Sequence, residues 1–125
     1  MTERYIKESL GALRIMSAAL FICHGTSKLF AWPVRHAAGK IEVSSLLGIA
    51  GAIEVVGGLM LLVGLLARPV ALILAGEMAF AYFMAHAVHG FWPIANGGET
   101  ALLFCFAFLT LAANGPGAWS IDSKA

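Results

Sequence analysis

Hydrophobic residues run along this chain in four long blocks, separated by short clusters of charge, proline and glycine. A helix rises about 1.5 Å per residue, so roughly 20 mostly apolar residues are needed to cross the hydrocarbon of a bilayer. The first block of that length runs from about Leu10 to Phe30 and stops before Trp32-Pro33. A polar stretch, Arg35 to Glu42, follows as a loop, and the second block runs from Val43 to Leu66 with one acid, Glu54, inside it. Ala67-Arg68-Pro69 makes a tight turn, because proline biases the residue before it away from helical geometry and suits the first turn of a new helix. The third block reaches Val88 or His89, and the short loop Gly90-Phe91-Trp92-Pro93 leads to a fourth from Gly97 to Ala113, stopped by Asn114-Gly115-Pro116-Gly117. The pattern predicts one all-α domain over residues 1–125, an integral membrane four-helix bundle with spans at about 10–30, 43–66, 69–89 and 97–113. Both termini then lie on the same side. Trp32 and Trp92 suit the headgroup level on one side and Trp119 on the other.

Composition strengthens the membrane reading. Hydrophobic residues make up 60% of the chain and charged ones 12%, against about 25% charged in an ordinary soluble domain. A small water-soluble domain needs polar residues to cover its large relative surface, so the lipid bilayer is the expected partner of most of this one. The net charge of +1 and the absence of a basic stripe give no case for nucleic-acid binding. The charged start, Met1 to Glu8, followed by an apolar run has the outline of a signal peptide. Ser9 to Trp32 is nevertheless long enough to span, and no A-x-A site closes it, so it is read as a retained helix. Arg4, Lys7, Arg68 and Lys124 on the terminal side, against Lys28, Arg35 and Lys40 on the other, favour cytoplasmic termini by a thin margin. Cys23 and Cys105 form no CxxC pair and read as small buried hydrophobes, and spacing alone does not say whether they meet.

Ionisable groups inside a membrane cost at least a few kcal/mol each and mark function by default. Here their depth is informative. His24 and Lys28 fall late in span one, Glu54 early in span two, Glu77 near the middle of span three, His86 and His89 at its far end, and Asn96 and Glu99 at the start of span four. Because the chain reverses at every turn, these positions share one half of the bilayer, while the other half holds only Arg14, expected to snorkel to its interface. They outline a polar pocket opening to one face. At about 100° per residue, Arg14, Ser17, His24 and Lys28 share one stripe of span one. Glu54 shares a face with Gly51, Gly57 and Gly58, small residues that let helices approach closely, either within the chain or in a homodimer. Glu77 and His86 are nine residues apart and fall on opposite faces of a regular helix, which places one at a helix seam or deforms the helix near Gly90. Asn96-Gly97-Gly98-Glu99 reads as a capping box. His86-x-x-His89 sets two imidazoles on one face, but no Glu-x-x-His pair of the di-iron bundle type accompanies it, so no metal site is expected.

Taken together, Arg14, His24-Gly25 and Lys28, then Glu54-x-x-Gly57-Gly58 with Gly64, then Arg68, Ala81 and His86, Gly97-Gly98-Glu99, and Gly115-Pro116-Gly117 with Ser120 and Asp122 resemble the pattern of the DoxX family of small four-helix membrane proteins. The resemblance covers about residues 11 to 122, and Glu77 departs from it, standing where many members carry an apolar residue. What the resemblance implies is redox-linked biology in the cytoplasmic (inner) membrane of a prokaryote. The family takes its name from a subunit of an archaeal quinone-reducing system that oxidises thiosulfate. Other relatives look like membrane partners of superoxide- and thiol-handling enzymes or are linked to quinone stress.

The leading expectation is therefore a redox-associated membrane protein, an oxidoreductase component at most, whose one-sided pocket binds a quinone or similar small amphipathic molecule. His24 and Glu54 would exchange protons, with Lys28, Glu77, His86, Glu99 and Tyr82 as ligand-binding residues and Phe21, Met78, Phe80, Tyr82 and Met84 as apolar walls. No cofactor is evident beyond a possible quinone. The second expectation is a non-catalytic membrane subunit that anchors a partner oxidoreductase through buried ion pairs. A lipid-substrate isomerase is a third. A transporter fits less well, since no inverted repeat or broken helix reaches the midplane.

Overall fold

A computed structural model describes residues 2–34 and 45–122, and every element among them is helical. The polar loop from Arg35 to Glu42, the expected start of span two at Val43, and Lys124 lie outside the described residues. Helix α1 covers Thr2–Phe30, α2 Leu46–Val63, α3 Ala67–Ala81, α4 Pro93–Asn96 and α5 Glu99–Asn114. The third helix continues without a break through a π-helical turn, Tyr82–His86, and a 3-10 turn, Ala87–His89. Two stretches, Leu46–Val63 and Ala67–His89, are long and apolar enough to cross a membrane.

The local chemistry explains these boundaries. Ser45 accepts from the Gly48 amide at the start of α2, as a helix N-cap does. Gly64 ends α2 with φ 74°, and the Gly64 and Leu65 amides return to Leu61 and Met60, the left-handed stop that glycine permits without a Cβ clash. Leu66 also adopts a left-handed φ of 50°, costly for a side chain with a Cβ. The Asp122 carboxylate holds it there, accepting from the Leu66 and Ala67 amides at 2.9 and 2.8 Å. Asp122 thereby caps α3 from the far end of the chain and places a negative charge at a helix N-terminus.

Helix α1 packs chiefly on α2 and α3 on α5, and the two pairs meet along α2–α3 and α1–α5. The seam between α1 and α2 is made by small residues. A Cβ on Gly25 would stand 2.7 Å from Val55, and one on Gly58 would stand 2.6 Å from Ile22. Gly51 likewise faces Leu29 and Lys28, so Gly51 and Gly58 are covered by α1 of the same chain, whereas Gly57 turns to Leu74 of α3. Phe21, Phe104 and Phe108 form the aromatic centre, with Leu61, Leu74, Met78 and Leu111 around it. The outer faces carry large apolar side chains, among them Leu20, Val56, Ile73, Phe80, Leu103 and Phe106.

Arg14 departs from its expected place at an interface. It is fully buried, and its guanidinium donates to the carbonyls of Pro116, Ala118 and Trp119 at 2.5, 2.9 and 2.7 Å. The Ala118 amide donates back to Lys7 at 2.8 Å. The first turns of α1 and the segment 115–122 therefore meet at one end of the bundle. Arg68, in the same region, donates to the carbonyl of Ala113 at the end of α5.

Candidate functional site

At the other end, α1, α2, α3 and α5 enclose a cavity of about 320 Å³, at the lower limit of ordinary small-molecule sites. Helix α1 contributes Phe21, His24, Ser27 and Lys28, α2 contributes Glu54, and α3 with its π turn contributes Met78, Ala81 and His86. Gly97, Thr100, Ala101 and Phe104 close it from α5 and the turn before it. Three or four residues reach the cavity from α1, from α3 with its π turn and from α5, as the 3.6-residue period allows, whereas α2 supplies Glu54 alone.

Its centre is an ion pair. Lys28 Nζ lies 2.5 Å from Glu54 Oε2, the lysine side chain being 16% exposed and the glutamate fully buried. The pair ties α1 to α2, and it accounts for both polar residues that interrupt these apolar blocks. Glu54 Oε1 is buried and takes nothing from Lys28, and the Glu77 carboxyl of α3 lies within hydrogen-bonding reach of the same glutamate. His24 stands at the rim, exposed on its outer side, with its ring edge-on to Phe104 at 5.5 Å. His86 closes the far wall, where Nδ1 lies 3.2 Å from the Asn96 carbonyl. A carbonyl only accepts, so Nδ1 carries the hydrogen, and in the neutral ring Nε2 is left as an acceptor.

Asn96 organises this wall. It is buried, its amide nitrogen donates to the Tyr82 hydroxyl at 3.1 Å and the Gly90 carbonyl at 2.9 Å, and its Oδ1 accepts from the Gly98 amide at 2.8 Å. The expected capping box forms only in part. Asn96 takes the Gly98 amide, while Glu99, the first residue of α5, is exposed and lines none of the cavity.

Of the residues the sequence points to, the fold gathers His24, Lys28, Glu54 and His86 around one space and leaves Glu77, Glu99 and Tyr82 outside it. Tyr82 is buried, with its ring against Gly98 and its hydroxyl held by Asn96. Glu77 lines a separate apolar cavity of about 400 Å³ between α2 and α3, together with Ile49, Ile53, Phe80 and Met84. The Glu77 carboxyl is buried, and its hydrogen-bonding neighbour is the Glu54 carboxyl of the polar cavity. Glu77 and His86 thus stay on different walls, as regular helical phase requires, despite the π turn between 82 and 86. Lys28 and Ala81 line both cavities, so only a thin partition divides them. Phe80 and Met84, expected in the polar pocket, belong to the apolar one. His89 is exposed and does not follow His86 into the cavity.

Sequence reasoning did not single out Ser27, Thr100 or Phe104. Thr100, Ala101 and Phe104 share a helical face by their spacing, but neutral residues in an apolar block carry no signal of their own. Cys105 is buried and Cys23 exposed, and both are free thiols. At the terminal end a wide groove of about 930 Å³ is lined by Glu3, Lys7, Arg68 and Asp122 among apolar residues. Arg68 and Asp122 there are engaged with main chain.

Comparison with known proteins places this geometry in context. A chain from Haemophilus influenzae, described as an uncharacterized protein, is 44% identical over 98% of this chain and 94% of its own length. An uncharacterized membrane protein of Mycobacterium tuberculosis is 27% identical over 93% of this chain and 80% of its own. No solved structure matches. The DoxX family model matches residues 9–87, a stretch that holds Arg14, His24, Lys28, Glu54 and His86. The chain belongs to the DoxX family.

Proposed function

We propose that this protein is a redox-associated four-span membrane bundle whose polar cavity binds the head of a small amphipathic molecule of the quinone type. The apolar outer faces of all four long helices support the bilayer as its solvent, because a soluble monomer rarely exposes large contiguous apolar patches. The two stretches long enough to span and the relative described as a membrane protein agree with that reading. On the same reading α1 and α5 are the remaining spans, and the termini face the cytoplasm of a prokaryotic inner membrane.

The observation that carries the proposal is the cavity itself. An apolar floor of Phe21, Met78 and Phe104 is combined with the polar groups of His24, Lys28, Glu54 and His86 in a volume of about 320 Å³. A few convergent polar groups in an apolar concavity are the usual form of a small-molecule site, and the volume suits a single ring with any tail leaving at the rim. His24 and Glu54 are the groups placed to exchange protons with such a ring.

Calorimetry of the full chain in detergent, with a short-tailed benzoquinone as probe, tests this. Binding is expected, with Glu54→Gln and His24→Ala each weakening it about tenfold, the value of one lost polar contact near a charge. Unchanged affinity in folded variants refutes the pocket. The Lys28–Glu54 pair at 2.5 Å also fits a second reading, a non-catalytic subunit whose buried charges fix the bundle for a partner oxidoreductase. Stoichiometric co-purification of a soluble enzyme, unaffected by the cavity variants, favours that reading.

A further inference from the structure

Three ionisable groups from three helices meet at the partition between the two cavities. Lys28 of α1 donates from Nζ to Glu54 Oε2 of α2 at 2.5 Å, and the Glu77 carboxyl of α3 lies against that of Glu54. Glu54 lines the polar cavity and Glu77 the apolar one, while Lys28 lines both. Glu54 is fully buried, and neither Glu77 oxygen is open to solvent. The other ionisable groups at these cavities are His24, at the rim of the polar one within electrostatic reach of Glu54 and Lys28, and His86 on its far wall. From α5 come Thr100, Ala101 and Phe104, none of them ionisable.

Two carboxylates do not share so dry a space with a single ammonium. A like charge beside a carboxylate disfavours its ionisation, and an uncompensated charge at membrane depth is costly. One ammonium balances one carboxylate, so the pair keeps one hydrogen. Lys28 touches Glu54, which fixes the negative charge there and leaves the hydrogen on Glu77, whose O–H donates to Glu54. We propose that Glu54 and Glu77 form a carboxyl–carboxylate pair that stores one exchangeable proton between the polar and the apolar cavity. Transfer within it is short and balanced: the O–H bond on Glu77 breaks as one forms on Glu54, the negative charge passes the other way, and no electron moves. A proton thereby crosses the partition without a water. The pair also offers the polar cavity a proton that Glu54, as the counterion of Lys28, does not hold by itself. Use of that proton by a ring ligand rests on the pocket reading given above; the pair itself does not.

Infrared spectroscopy of the full chain in lipid nanodiscs reads this hydrogen directly, through the C=O stretch of a protonated carboxylic acid, which shifts in D2O. At about pH 8, where exposed carboxyls are ionised and an ordinary histidine is neutral, the unaltered chain is expected to show the band of one such group. Glu77→Gln is expected to abolish it. Lys28→Met removes the balancing charge, so both carboxyls become neutral and the band doubles, a change that a merely structural contact does not produce. Glu99→Gln, at an exposed position outside both cavities, leaves the band unchanged. Absence of the band from the unaltered chain overturns the proposal without recourse to any variant, as does a band of two groups, or one that survives Glu77→Gln. With the band present, failure of the benzoquinone probe to bind overturns the pocket reading alone.

Discussion

Arg14→Met is the most discriminating perturbation of this fold, because it removes three hydrogen bonds without emptying the space. Methionine keeps the length and apolar stem of arginine, so loss of packing is small. What goes is the guanidinium that holds Pro116, Ala118 and Trp119. Hydrogen bonds to a charged group contribute about 1.5–3 kcal/mol each. Their sum overstates the loss, since the freed carbonyls regain water when the segment opens, and a net cost of about 4 kcal/mol is the working figure. At about 1.4 kcal/mol per decade, opening of segment 115–122 becomes roughly a thousandfold more frequent. Hydrogen exchange followed by mass spectrometry in a lipid nanodisc reads this directly at the Ala118, Ile121 and Asp122 amides, which donate to Lys7, Val63 and Gly64. The loss propagates, because an opened segment also withdraws the Asp122 cap from Leu66 and Ala67. Protection of these amides within threefold of the unaltered chain refutes the role given to Arg14 and restores the interfacial placement that sequence alone predicts.

Two further expectations concern packing and the cavity wall. Gly58→Leu introduces a side chain where a Cβ already stands 2.6 Å from Ile22, whereas Gly76→Leu meets nothing within 4 Å; thermal unfolding in detergent should register about 2 kcal/mol of overpacking for the first and almost none for the second, and equal midpoints contradict the α1–α2 seam. Asn96→Ala removes the bonds to Tyr82, Gly90 and Gly98, about 3 kcal/mol in all, while Tyr82→Phe removes one of them and costs about 1 kcal/mol; a denaturant titration that ranks the two alike refutes Asn96 as organiser of the wall.

The four ionisable residues inside the bundle, Arg14, Lys28, Glu54 and Glu77, differ in kind. Arg14 is held to main-chain carbonyls through its two terminal nitrogens, with Nε left without a partner, and closes the terminal end. Lys28 and Glu54 satisfy each other in part across the α1–α2 seam. Glu77 meets the same pair from α3, its carboxyl lying against that of Glu54. Breaking a buried pair by removing one partner is costly because it strands the other. Any substitution at Lys28 or Glu54 should therefore be read together with a folding control.

Sequence alone determined that the chain is helical, where its four long apolar blocks lie, and at what height along each block an ionisable residue stands. Those properties are local or additive: apolar length fixes a helix able to span, and constant rise per residue fixes height along it. The turn between α2 and α3 was misplaced: the blocks put it at Ala67-Arg68-Pro69, whereas the left-handed stop is at Gly64 and Ala67 already opens α3, because the Asp122 cap that fixes that start comes from the other end of the chain. Tertiary structure decided which polar residues meet. His24, Lys28, Glu54 and His86 converge on one cavity, Glu77 reaches Glu54 from the neighbouring one, and Glu99 and Tyr82, equally plausible by height, turn elsewhere. Arg14 turned from an expected surface cation into the buried clasp of a segment about a hundred residues away, a distance its hydrogen bonds span. Height along a helix is set by counting residues, but rotation about its axis and the choice of neighbour are set by close packing of glycine and aromatic faces, which no single helix contains.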